Sequence, residues 1–138
     1  KIFNGDDENK KLEAAIAWSR WEGSTSSLAY KPEMADSFSD PKFALAFALI
    51  ENHYFVNKGF LEHENQLIDS GIDIIRSIPT IIVQGRYDIV CPMTTAWELS
   101  QNWPEAKLII APSSGHTAFE KEITHELIKA TDLFGLNV

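Results

Sequence analysis

The chain has 138 residues, 44% of them hydrophobic and 23% charged, which is ordinary soluble composition with enough length for one domain. A formal charge of −8 and a pI near 4.9 exclude nucleic acid and anionic lipid as partners, since both need clustered Lys and Arg, and favour a cationic ligand. The longest apolar run, Phe43 to Ile50, is too short to span a bilayer and no basic-apolar leader opens the chain, so we expect a cytoplasmic protein with no membrane partner. The single Cys91 cannot form an internal disulfide and fits a reducing compartment.

Glu8 to Trp21 reads as a helix, because Leu12, Ala15, Ile16, Ser19 and the Trp18/Trp21 pair recur at helical spacing and Gly23 supplies a stop. The stretch GSTSSLAYKPEMADS that follows reads as a loop. Asp40 and Pro41 then form a helix start, with Asp40 as N-cap and Pro41 at the first helical position, leading into KFALAFALIENHYF. That helix is apolar nearly all round, which predicts a buried one. Glu62 to Gly71 reads as a short helix.

From there the pattern alternates: strand Thr80–Gln84, helix Pro92–Asn102, strand Lys107–Ala111, helix Phe119–Phe134. Strands separated by helices of this length make a parallel βαβ unit. The fold class is therefore α/β, with a helical first half and a joint near Arg76 to Pro79. There are no internal repeats and no low-complexity tract.

Asp88 lies three residues beyond Gly85, past the carboxyl end of the first strand, and His116 lies in the matching place after the second. Catalytic groups and ligands collect at those strand ends in open α/β sheets. Two adjacent parallel strands thus present an aspartate and a histidine from one edge. In such a dyad the carboxylate holds the imidazole tautomer and stabilises the imidazolium when the other nitrogen takes a proton from a nucleophile. Each residue alone has a plainer reading: Asp88 as a turn former or the N-cap of the next helix, His116 as an ordinary residue after glycine.

GRYDIVCP, with His116 in PSSGHTAFE 28 positions after Asp88, resembles the C-terminal region of proline iminopeptidases, α/β-hydrolase-fold serine peptidases that remove an N-terminal proline. AAIAWSRWEG, ENHYFVNKGF and AWELSQNWPEA carry the same resemblance, and WSRWEG with ENHYF is what separates this branch from other α/β hydrolases. The resemblance implies the C-terminal part of an α/β-hydrolase fold, two parallel strands with their helices, plus part of a helical cap. Residues 1–76 would be the cap part and residues 77–138 the core part. It implies that Asp88 and His116 are two triad members and that Glu22 and Glu51 are cap carboxylates binding the substrate's free amine. No cofactor and no metal are expected, and the implied partners are peptides with N-terminal proline.

Local pattern bears on the two glutamates separately. Glu22 closes its helix beside Gly23, where its charge opposes the helix dipole. Glu51 falls on the stripe Phe43, Phe47, Ile50, Tyr54, where an ionised carboxylate is costly unless a cation is near. Both are equally readable as solvated helix-end residues. The aromatics Trp18, Trp21, Phe47, Tyr54 and Phe55 read as core at helical spacing. Cys91, near a helix start, reads as either an activated thiol or a small buried filler.

The α/β-hydrolase order is nucleophile, acid, histidine, with the serine on a G-x-S-x-G elbow, and none of the seven glycines completes that pattern. Ser113 and Ser114 stand too close to His116 to form one. The expectation is thus a C-terminal part of a longer enzyme, inactive alone, whose bare strand edge or sheet face invites self-association. Another α/β hydrolase of esterase or epoxide hydrolase type, or a non-catalytic module of the same fold, remains open on these residues.

Overall fold

Where helix signals are strong the chain obeys them. Asp40 Oδ1 accepts the backbone N–H groups of Lys42 and Phe43 at 3.1 and 2.9 Å, and Pro41 opens the helix. A cap of this kind stabilises a helix by about 1 kcal/mol, because it satisfies donors that have no intrahelical partner. The computed structural model describes residues 2–136. They divide into two units, one comprising the chain up to Thr25 with Ala29–Glu62, the other Ser26–Leu28 with the chain from His63 onward. The expected joint at Arg76–Pro79 lies inside the second unit.

The first unit is three helices, α1 (Glu8–Thr25), α2 (Pro32–Phe38) and α3 (Pro41–Val56), with α2 and α3 both packed on α1. Ala15, Ser19 and Gly23 form the buried stripe of α1, facing Ala35 of α2 and Ala44 and Ala48 of α3. Small side chains let helix backbones approach closely. Gly23 therefore does not stop the helix, which continues to Thr25; a Cβ there would stand 2.8 Å from Phe38 Cγ, so glycine is required by packing. Phe38 in turn meets Phe43 and Phe47, with ring centroids 5.0 and 5.6 Å apart. These contacts make a helix of Pro32–Phe38, in a stretch that reads from sequence as loop.

Close packing through alanines also corrects the expectation for α3. Only Ala44 and Ala48 are buried, while Phe43, Ile50, Tyr54, Phe55 and Val56 are exposed. Glu51, half-buried, lies on the side of α3 that carries Ala44 and Ala48 and not on the stripe through Phe43, Ile50 and Tyr54.

The second unit is built on two parallel strands, β1 (Ile81–Gly85) and β2 (Lys107–Ala111), in register from Ile81 opposite Lys107 to Gly85 opposite Ala111. Helix α5 (Met93–Asn102) makes the crossover, and α6 (Lys121–Gly135) packs back on both strands. The short helix expected at Glu62–Gly71 lies later: a π-helical turn at Leu67–Gly71 leads into α4 (Ile72–Ile75). Burial decides this shift, because Ile72 is the anchor, packed with Trp103 and Ala106 in a core that Ile68, Ile82 and Leu99 complete. Arg76 follows at the end of α4 and its Nη1 binds both oxygens of Glu105 at 3.0 and 2.8 Å.

Candidate active site

The ends of β1 and β2 are locked together beyond the last strand residues. Arg86 N–H donates to Ala111 O and Tyr87 N–H to Ser114 O, each at 2.9 Å, so the two post-strand loops pair as the strands do. Their closest approach is at Gly85, where a Cβ would lie 1.9 Å from the carbonyl oxygen of Gly115. Gly115 is equally confined, its own notional Cβ standing 2.8 Å from Leu28 N. Only glycine fits where backbones meet this closely.

Asp88 sits in the first of these loops and is used on both oxygens. Its Oδ1 accepts Val90 N–H at 3.0 Å and Cys91 N–H at 2.7 Å, the Asx turn that its position after a strand favours. Its Oδ2 accepts the Gln84 amide at 3.1 Å and lies 3.0 Å from His116 Nδ1. The turn-forming and dyad readings are thus both true, one for each oxygen. Four partners satisfy the carboxylate although its side chain is only 5% exposed.

His116 is held through its backbone, whose N–H donates to Ser26 O at 2.9 Å, while Thr117 N–H donates to the same oxygen at 2.8 Å. An ionised Asp88 accepts only, so the imidazole donates Nδ1–H to it and keeps the lone pair on Nε2. With the His116 side chain 38% exposed, that nitrogen belongs to a reachable ring backed by a buried acid. Such a pair can take a proton from a hydroxyl and return it to a leaving group.

Glu22 and Glu51 lie in the first unit. Trp18 Nε1–H donates to Glu51 Oε2 at 2.6 Å, and Oε1 has no hydrogen bond among the described residues. Trp18 rests on Phe55 with centroids 6.0 Å apart. Glu22 is one helical turn beyond Trp18, so helical geometry sets it on the same flank of α1. It is half-buried in the last turn, three residues short of the helix end. Cys91 is exposed, so it is not a buried filler.

Three partners of the dyad loops escape sequence reading: Gln84, Ser26 and Glu120. Glu120, ahead of an apolar-periodic helix, resembles a first-turn acid serving the helix dipole, yet it makes no cap bond and its carboxylate turns to the His116 loop. Two cavities, of about 290 and about 530 Å³, lie along β2 and α6, and neither includes Asp88 or His116. They are gaps between helix and sheet, away from the Asp88–His116 pair. Among the described residues no group of three or more His, Cys, Asp or Glu is placed to hold a metal ion, and no helix is long and apolar enough to cross a membrane.

Residues 62–128 match the α/β-hydrolase family model described as TAP-like protein. The chain is 54% identical over 132 residues to the proline iminopeptidase of Xanthomonas citri, covering 96% of this chain and 42% of that protein. It is 49% identical over 132 residues to the proline iminopeptidase of Arabidopsis thaliana, covering 96% and 34% respectively. To that of Neisseria gonorrhoeae it is 44% identical over 126 residues, covering 91% and 39%. The chain thus spans about two fifths of the length of the curated relatives it matches.

Proposed function

This chain has an α/β-hydrolase fold and is homologous to proline iminopeptidases over nearly all its length, and on that premise we propose that the full-length protein is a serine aminopeptidase releasing N-terminal proline from peptides. The observation that carries the reading is the 3.0 Å contact between His116 Nδ1 and Asp88 Oδ2, a buried acid behind a solvent-reachable imidazole. In this reading Nε2 of His116 takes the proton of a serine hydroxyl as it attacks the prolyl carbonyl. The same nitrogen then gives the proton to the departing amine, leaving a prolyl ester on the serine; it next takes a proton from the water that hydrolyses this ester and returns it to the serine, releasing proline, while Asp88 stabilises the imidazolium in both halves. The serine comes from outside these 138 residues, none of which stands on a G-x-S-x-G elbow.

Glu22 and Glu51 are the carboxylates that bind the secondary ammonium of the substrate's proline. Glu51 Oε1 is the acceptor for it, with Oε2 already fixed by Trp18.

The test compares hydrolysis of a prolyl amide with that of its N-acetylated counterpart by the full-length protein. We expect turnover only with the free amine. Glu22→Gln or Glu51→Gln should weaken transition-state binding by about 1.5–3 kcal/mol, the range of a charge-assisted hydrogen bond. Equal rates on the two substrates would show that no amine is read.

A further inference from the structure

We propose that Glu120 is a positioning residue for His116: its buried carboxylate clamps the backbone of the His116 loop to the Ser26–Leu28 segment and so fixes the imidazole against Asp88. Glu120 is 9% exposed, and each of its oxygens is committed. Oε1 accepts Leu28 N–H at 2.6 Å, and Oε2 accepts the N–H of Gly115, the residue immediately before His116. The segment clamped through Leu28 is the one whose Ser26 carbonyl takes the N–H groups of His116 and Thr117. Glu120 and Ser26 thereby close a ring of backbone hydrogen bonds around the histidine.

The partners make this a task for a carboxylate. Both partners are donors, so both oxygens must accept, and a carboxylate is the side chain that offers two acceptors on one carbon. Glu122, two residues on in the first turn of α6, supports the same loop, its Oε2 accepting Ser113 N–H at 2.7 Å and Ser114 Oγ–H at 3.3 Å. Helix α6 thus begins with two acids turned back onto the loop that precedes it. Among the described residues Glu120 makes no hydrogen bond to the Asp88 carboxylate or the His116 imidazole, so it acts through backbone position alone.

The inference rests on His116 being the base, and the test separates the two claims. In the full-length protein, Glu120→Gln keeps the volume but turns an N–H₂ toward one of the two donors. We expect kcat for a prolyl amide to fall by about ten- to a hundredfold with KM within about twofold, since a small displacement of a catalytic group costs that much and no substrate contact is removed. The downfield Nδ1–H resonance of His116 should be lost or broadened in the same variant. Wild-type kcat together with an intact resonance would overturn the proposal. Activity retained by His116→Ala would instead refute the base assignment, and the resonance would still judge the clamp without reference to turnover. If Glu120→Gln fails to fold, amide exchange in the wild-type protein decides. Slow exchange at Gly115 and Leu28 supports the clamp, and exchange as fast as in an open loop overturns it.

Discussion

Replacing Gly85 by alanine strikes the point where the two post-strand loops meet. The added Cβ would sit 1.9 Å from Gly115 O, where ordinary contact begins at 3.4 Å, so the backbones must separate by about 1.5 Å. No side-chain rotation relieves this, because Gly115 C and Ser114 O, each at 2.8 Å, are backbone too. Overpacking costs about 1–3 kcal/mol. The bonds from Arg86 to Ala111 and from Tyr87 to Ser114 would be lost or stretched, at about 1 kcal/mol each. A total of about 3–5 kcal/mol is a large part of a domain's stability of roughly 5–15 kcal/mol. Urea unfolding of the full-length Gly85→Ala variant should show this as a lowered midpoint. The same displacement would part His116 from Asp88 and cost about a hundredfold in turnover. Gly135→Ala is the control, because nothing lies within 4 Å of its notional Cβ; at this helical position alanine should add about 0.5 kcal/mol. A Gly85→Ala protein with wild-type midpoint and an intact His116–Asp88 resonance would refute the interlock.

Ser19 is fully buried on α1 and its Oγ has no hydrogen-bond partner among the described residues, so Ser19→Ala should raise the unfolding free energy by about 1 kcal/mol; a loss of stability would mean the hydroxyl is satisfied after all. The Arg76 guanidinium holds Glu105 below its ordinary value of 4.5. Its contribution is therefore complete above that value, where the unfolded chain is also ionised, and is lost as pH falls through the lower folded value. Glu105→Gln should flatten this acid limb of the stability curve, and an unchanged limb would exclude the pair as its source. Exposed Cys91, whose N–H is bound to Asp88 Oδ1 at 2.7 Å, should be alkylated by iodoacetamide in the native full-length protein with slowed turnover. Full labelling at undiminished rate would separate the thiol from the site.

Signals that act within a few residues were legible in the sequence. Asp40-Pro41 and the alternation of apolar runs from residue 80 onward give α3, β1, α5, β2 and α6 to within one or two residues. Asp88 and His116 were legible as a pair because parallel strands deliver consecutive post-strand loops to one edge. What escaped depends on partners distant in sequence. Helix α2 has no side-chain cap and owes its helix to Ala35 and Phe38 packing in the first unit. The orientation of α3 was misread because large apolar residues occur on several sides and only the alanines reveal which one meets α1. Glu120 was opaque for a similar reason: its partner Leu28 is 92 residues away and is a backbone N–H, which any residue but proline supplies.

Single-turnover kinetics of the full-length protein test whether the Asp88–His116 pair performs the proton transfer in prolyl amide hydrolysis. With wild type, His116→Ala and Asp88→Asn side by side, we expect proline release by wild type. The His116→Ala rate should fall by about 10⁴-fold, and Asp88→Asn should be nearly as impaired because the amide leaves the imidazole in the wrong tautomer. Proline release by folded His116→Ala at the wild-type rate would contradict the account.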